Sequence, residues 1–190
     1  MKILGISGSL RGDSYNAKLL HAASKLLAPE VDYEQWDGLK AVPPYDEDDD
    51  VQPAPAAVAA LREAIAGADA VLFATPEYNW SIPGVLKNAI DWVSRPLASN
   101  PLRNKPVAVI GASTGAFGAV WSQAELRKVL SATGARVLED EVAVAHAHTR
   151  FDGDGHLLDD EVREQLGEIL AALRGEVAAR SPAPTLVATA

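Results

Sequence analysis

Apolar positions along the chain follow two alternating periods. Lys2 to Ser7 is a short apolar run closed by Gly8, a buried strand by its length and flanks; Tyr15 to Ala28 then sets Leu19, Leu20, Ala23, Leu26 and Leu27 on one helical face before Pro29. Val31, Tyr33 and Gln35 alternate with Asp32, Glu34 and Trp36, a weaker pattern that predicts an edge strand. Prolines and an acidic run resist regular structure from Pro43 to Pro55, after which an alanine-rich helix is predicted over Ala56 to Ala66, ended by Gly67. Ala70 to Thr75 is apolar on both faces and predicts a central parallel strand.

The second half repeats the alternation. Apolar residues at 82, 86, 89, 90 and 93 predict a helix over Ile82 to Ser94, with Ser81 as N-cap and Pro83 in the first turn. Pro106 to Gly111 predicts another apolar strand, followed by a glycine-rich loop and a helix to about Ala132, with Gly134 as its stop. Val137 to Ala145 predicts a fifth strand, and Val162, Leu166, Ile169, Leu170 and Leu173 form the stripe of a last helix opened by Asp159 and Asp160. Strands interleaved with helices imply an α/β fold, an open doubly wound parallel sheet of five strands with helices on both faces, because each parallel crossover needs a helix. A single domain is expected over residues 1–180 and a disordered tail over 181–190, which lacks charge and periodicity.

Composition narrows the chemistry. The 190 residues carry 17 Lys and Arg against 26 Asp and Glu, a net charge of -9, so a nucleic-acid or anionic-membrane partner is not expected. Five of those negative charges fall in the run Asp46-Glu47-Asp48-Asp49-Asp50. With no cysteine there is no disulfide, zinc-thiolate or iron-sulfur site and no catalytic thiol, so redox work would need a borrowed cofactor. No run of about 18 apolar residues spans a membrane, and the opening strand is too short for a signal-peptide core, which makes a cytoplasmic protein the expectation.

In a doubly wound sheet, ligands sit at the carboxyl ends of the strands near the switch in strand order. The loops there after the first, third and fourth strands are the most unusual in the chain. Gly8-Ser9-Leu10-Arg11-Gly12-Asp13-Ser14-Tyr15-Asn16 joins small residues, hydroxyls, an amide and a guanidinium to the start of a helix, a setting that suits a phosphate monoester. A plain turn capped by Ser14 or Asn16 fits this loop equally well. It lacks the Gly-Lys-Ser/Thr of a triphosphate P-loop, and Gly5, Gly8 and Gly12 lack GxGxxG spacing. Thr75-Pro76-Glu77-Tyr78-Asn79-Trp80-Ser81 sets two aromatics, an acid and an amide where a planar ligand could lie, although Tyr78 and Trp80 could equally cover the sheet end. Gly111 to Gly118, with Ser113, Thr114 and Gly115, permits close approach to a ring edge.

Gly8-Ser9-Leu10-Arg11 with Ser14 and Asn16, and Pro76-Glu77-Tyr78-Asn79 running into Ser81-Ile82-Pro83-Gly84-Val85-Leu86-Lys87-Asn88-Ala89-Ile90-Asp91-Trp92, resemble the NAD(P)H-dependent FMN reductases of flavodoxin-like fold, the group that includes chromate and quinone reductases and azoreductases. The likeness spans roughly residues 2–175 in element order. It implies that Ser9, Leu10 through its backbone, Arg11, Ser14 and Asn16 bind the FMN phosphate. Pro76, Glu77, Tyr78 and Asn79 would line the isoalloxazine, with Ser113 and Gly115 against its pyrimidine side. It further implies hydride transfer from NADPH or NADH to flavin N5, then reduction of a small-molecule acceptor (quinone, flavin, azo compound or chromate) in a ping-pong sequence with no catalytic side chain. A homodimer, or a homotetramer, is implied too, with the 87–92 helix in the contact. Where relatives of the chromate-reductase type carry Gly-Gly-x-Arg, this chain has Gly118-Ala119-Val120-Trp121. An FMN electron carrier without nicotinamide activity, and a non-enzymatic binding module, remain the alternatives.

No metal site is expected. His146 and His148, just past the predicted fifth strand, would share one strand face, but His21 and His156 have no partner at ligand spacing. Asp152-Gly153-Asp154-Gly155-His156 echoes a calcium loop yet lacks its further ligand and glycine, and is expected to be a turn. Glu77 has no second acid placed to work with it, and is expected to cap backbone or shape its loop.

Overall fold

The computed structural model describes residues 1–179; the tail expected over 181–190 lies outside them. Strands β1 (Lys2–Ser7), β2 (Asp32–Trp36), β3 (Ala70–Thr75), β4 (Pro106–Ala112), β5 (Arg136–Val137) and β6 (Val142–Val144) form one parallel sheet. Its order is β2-β1-β3-β4-β5, with β6 also pairing β4. Helices α1 (Tyr15–Lys25), α2 (Ala56–Gly67), α3 (Gly84–Val93), α4 (Val120–Ala132) and α5 (Asp160–Ala178) cover both faces. The fold is the expected doubly wound α/β sandwich.

Strand alternation divides the core in two. Leu4, Ile6, Val71, Phe73, Val107 and Val109 pack under α2, α3 and α4, while Ile3, Ala70, Leu72, Ala74, Ala108 and Ile110 pack under α1 and α5. β3 and β4 are buried along their whole length, which is why their sequences read as continuous apolar runs. Among the described residues β2 pairs only with β1, the edge its mixed pattern predicted.

Three elements depart from the sequence reading. α1 ends at Lys25, short of the predicted Ala28. The fifth strand is two pieces: β5 pairs the start of β4 and β6 its end, because Glu139, Asp140 and Glu141 lead the chain out to solvent before Val142 returns to the sheet. His146 and His148 therefore lie beyond the strand, in and beside a short turn over Ala147–Thr149 that follows His146 in left-handed conformation. α3 starts at Gly84 with Pro83 in the N-cap position and no side-chain cap, so neither Ser81 nor Pro83 takes its predicted role.

The 37–55 connection holds only two short 3-10 turns, as its prolines predicted. It is fastened to α3: Asn88 Nδ2 and Trp92 Nε1 both donate to the Pro43 carbonyl at 2.8 Å, and Asn88 Oδ1 accepts from the Tyr45 amide at 2.7 Å. Asn88 and Trp92 are thus committed within the chain, leaving Lys87 and Asp91, an i,i+4 ion pair, on the outer side of that helix.

Candidate functional site

β1 connects to β2 on one side and the chain returns to β3 on the other, so a crevice opens above the carboxyl ends of β1 and β3. Three loops line it. Gly8 closes the first against the second: its amide donates to the Ala74 carbonyl at 2.8 Å, and a Cβ there would lie 2.9 Å from Leu86 Cδ2 and 3.3 Å from Pro76. Only glycine permits this approach without displacing its neighbours.

The resulting cavity, about 140 Å³, is lined by Ser9, Arg11, Ser14, Tyr15, Asn16, Pro76, Glu77, Tyr78, Ala112, Ser113 and Thr114. Leu10 lines an adjoining, more apolar cavity of about 410 Å³ with Gly8, Pro83, Gly84 and Val85, and Arg11 and Tyr78 are common to both. Most of the residues singled out in the three loops therefore meet, although the first and third loops lie about a hundred positions apart in the chain. Asn79 and Gly115 stand outside both linings. Thr114, named with Ser113 in the third loop, lines the cavity as well, and so does Tyr15, whose only signal in the sequence is adjacency to Ser14.

The first loop presents donors. Ser14 caps α1, its hydroxyl accepting from the Ala17 amide at 3.3 Å, while Ser9 Oγ accepts from the Arg11 amide at 3.4 Å. The amides of Leu10, Gly12, Asp13, Ser14, Tyr15 and Asn16 find no hydrogen-bond partner among the described residues. No ion pair engages the Arg11 guanidinium among those residues either, whereas the neighbouring Asp13 pairs with Lys18. Unpartnered amides at a helix N-terminus beside a free guanidinium form an anion cradle.

Asn16 has a different task. It is buried, and its carboxamide clamps Ala112 at the end of β4 from both sides, Nδ2 donating to the carbonyl and Oδ1 accepting from the amide, each at 3.0 Å. That pair fixes the first loop against the third. The third loop is braced in turn by Ser113, whose Oγ accepts from the Gly115 amide at 3.1 Å, and by the Gly115 carbonyl, which accepts from the His146 amide at 2.9 Å. Gly118, at φ +59°, would place a Cβ 2.4 Å from the Ala143 backbone, so the loop passes β6 closer than any side chain allows.

The second loop is a tight hairpin anchored to α4. Tyr78 and Ser81 exchange two backbone hydrogen bonds of 3.0 and 3.1 Å, and the central residues Asn79 and Trp80 both have positive φ, 52° and 66°, the signature of a type I′ turn. Asparagine tolerates that conformation; for tryptophan it costs ~1–2 kcal/mol. Glu77 Oε2 accepts from the amides of Trp121 and Ser122, each at 3.1 Å, capping a helix whose own N-cap residue, Ala119, supplies no side chain for the purpose. The capping expected of Glu77 is thus what its carboxylate does. Ser81 Oγ donates to Glu125 farther along α4, and buried Thr75 and Ser122 share a 2.9 Å hydroxyl contact beside the Pro76 carbonyl.

Asp152, Asp154 and His156 bring ligand-capable atoms within 4.8 Å of one another on the surface. Their geometry is that of the expected turn, the Asp152 carboxylate accepting from the Asp154 and His156 amides at 2.9 and 2.8 Å. Those bonds, the His156 amide foremost, hold the Asp152 carboxyl below the usual range. No helix among the described residues is long and apolar enough to cross a membrane.

Residues 1–149 match the family described as NADPH-dependent FMN reductase. An NAD(P)H-dependent FMN reductase of Pseudomonas aeruginosa is 47% identical over 175 residues, covering 92% of this chain and 94% of its own. A 2-hydroxy-1,4-benzoquinone reductase of a Burkholderia species is 38% identical over 167 residues, 87% of this chain and 90% of its own. Among solved structures, the flavoenzyme NAD(P)H:(acceptor) oxidoreductase FerB of Paracoccus denitrificans superposes with a TM-score of 0.81 at 34% identity, covering 93% of this chain and 97% of that one.

Proposed function

The chain belongs to the NADPH-dependent FMN reductase family, and on that premise we propose that it binds FMN across the three loops and passes two electrons from NADPH or NADH to a small quinone-class acceptor. The observation that carries this reading is the convergence of the donor-rich first loop, the Glu77-Tyr78 hairpin and Ser113 on one cavity.

The donor set suits the cofactor. In this proposal Ser9, Arg11, Ser14 and the open amides from Leu10 onward hold the phosphate: the guanidinium neutralises charge while the α1 N-terminus supplies aligned N–H groups. Asn16 contributes by clamping Ala112, so the phosphate loop and the 113–115 loop stay in register. Pro76, Glu77, Tyr78 and Asn79 form the hairpin side of the ring site, with Ser113 and Gly115 on the pyrimidine side. When bound, FMN supplies the two-electron chemistry that no side chain of this cysteine-free chain can supply.

The protein's work is orientation. Glu77, the carboxylate in the cavity wall, is committed to the α4 amides, so no proton-transfer role is assigned to it. The balance NAD(P)H + H⁺ + quinone → NAD(P)⁺ + hydroquinone takes its proton from solvent. Donor and acceptor use the same open cleft in turn, which gives ping-pong kinetics, and the protein acts as a homodimer or homotetramer in the cytoplasm. Quinones are preferred as acceptors because relatives that align over nearly their whole length are quinone reductases.

The test is a titration of apoprotein with FMN followed by NADPH and NADH oxidation with and without 1,4-naphthoquinone. Quenching of FMN fluorescence together with acceptor-dependent nicotinamide oxidation is expected, with parallel double-reciprocal plots. Protein that binds FMN and leaves both nicotinamides unoxidised is an electron carrier; protein that does not bind FMN refutes the proposal.

A further inference from the structure

Three large aromatic side chains stand exposed beside the cleft: Trp80 at 65%, Phe117 at 59% and Trp121 at 37%. They form one cluster, with Trp121 in the middle. Its ring packs edge-on against Trp80 at 4.2 Å and 66°, and against Phe117 at 4.9 Å and 69°. Each is tied to the cavity by chain connection or hydrogen bond: Trp80 shares the hairpin of Tyr78, Phe117 follows Ser113 and Thr114, and the Trp121 amide donates to Glu77. Trp80 is moreover held in a left-handed conformation that bulky residues avoid. The fold thus keeps an indole in a strained, solvent-facing pose, which burial does not explain.

From this geometry we infer that Trp80, Trp121 and Phe117 form an aromatic shelf that selects planar aromatic acceptors by stacking. The T-shaped contacts use ring edges against ring faces within the cluster and leave much of Trp80 and Phe117 open, where a flat ring of quinone type can lie. The hairpin that carries the shelf is braced by the carboxylates of Glu77 and Glu125. With carboxylates bracing the shelf, an inorganic oxyanion gains neither stacking nor charge attraction there. The inference rests on the reductase reading and adds to it the residues that set acceptor class.

The test compares holoprotein with Trp80→Ala and Phe117→Ala, using 1,4-naphthoquinone and ferricyanide as acceptors at saturating nicotinamide. The ratio of kcat/KM for naphthoquinone to that for ferricyanide is expected to fall about tenfold in each variant through the naphthoquinone KM, on the scale of a lost base-aromatic stack. Trp80→Phe and Phe117→Tyr, which keep a ring, are expected to restore most of the ratio. An unchanged ratio overturns the inference, as does a loss of oligomer in size-exclusion chromatography with the naphthoquinone KM unchanged, which would make the cluster a contact between copies. Failure of the wild type to bind FMN or oxidise nicotinamide would instead refute the reductase reading.

Discussion

Glu77 offers the sharpest test of how the cleft is held together. One carboxylate oxygen receives two amides, each at 3.1 Å, from a helix with no other side-chain cap among the described residues. Replacing a capping side chain by alanine costs roughly 0.5–2 kcal/mol, and a carboxylate at the helix N-terminus adds ~0.3–1 kcal/mol from the dipole. Glu77 is half-exposed, which favours the lower part of each range and sets Glu77→Ala at about 1.5 kcal/mol, a fall in Tm of roughly 3–6 °C for a chain of this size. Glu77→Gln keeps an acceptor oxygen but loses the charge, and is expected to cost about 0.5 kcal/mol. Urea denaturation of the apoprotein measures both, with an unchanged m-value showing that only stability has moved. High salt should narrow the gap between Glu and Gln, since the charge-dipole part is screened. FMN affinity should also fall in Glu77→Ala, because the hairpin carrying Tyr78 loses an anchor. A Glu77→Ala protein within about 0.3 kcal/mol of wild type, a difference below the roughly 0.5 kcal/mol floor for a cap, or a Gln variant as unstable as Ala, would refute the capping role.

Arg11→Ala is expected to weaken FMN binding by about 1–3 kcal/mol while leaving unfolding unchanged, as for a lost charged hydrogen bond to a ligand; fluorescence titration beside thermal melting separates the two effects. Tyr33→Phe should stabilise the protein by about 1 kcal/mol, because the buried phenol oxygen has no hydrogen-bond partner among the described residues and burial pushes its ionisation well above the ordinary range; a lower Tm would show that a water satisfies it. Gly5→Ala should destabilise sharply, its Cβ falling 2.1 Å from that same oxygen, and Tyr33→Phe should partly rescue it. Asp159 caps α5 through the Val162 amide and pairs with Arg150, which together hold its carboxyl below the usual range. Its stabilisation is therefore complete at neutral pH and lost as pH falls through the folded-state value. Asp159→Ala should cost about 1 kcal/mol at pH 7, with the difference from wild type vanishing in acid denaturation.

Sequence periodicity revealed the sheet because its decisive strands are buried on both faces and its last helix has an unbroken stripe. Loop residue types likewise pointed to the cavity, although each loop taken alone fitted a plain turn or a cover for the sheet end equally well; only their shared place at the strand ends favoured a ligand. Long-range partners were invisible. Ser81 looks like a helix cap, but its hydroxyl is taken by Glu125; Asn16 looks like a ligand donor, but its carboxamide is spent on Ala112, 96 positions away. The break between β5 and β6 was hidden because Val137, Leu138, Val142 and Val144 read as one strand unless the three intervening acids are given the power to interrupt it. Nor does a tryptophan announce a left-handed backbone; only Asn79 before it hints at the turn.

The same long-range bonds settle how an acidic chain can cradle an anion. The run at 46–50 is not a free, solvated tail of charge: Asp50 pairs with Arg62 of α2 at 3.0 Å, both side chains largely buried, and Arg62 also donates to the Trp92 carbonyl of α3 at 2.7 Å. Together with the Pro43 and Tyr45 contacts to α3, this pins the densest negative charge to the face covered by α2 and α3. The first loop, proposed to hold the phosphate, feeds α1, which packs on the opposite face. Within that loop, Asp13 is offset by Lys18, leaving Arg11 and the open amides as the local field. At physiological ionic strength charges separated by more than about 8 Å are largely screened, so a phosphate held as proposed would meet this local field rather than the net charge. Raising salt should therefore weaken FMN binding, through loss of the Arg11 attraction, whereas relief of a global repulsion would strengthen it. An affinity that rises with salt would place the acidic run, and not Arg11, in control of the site.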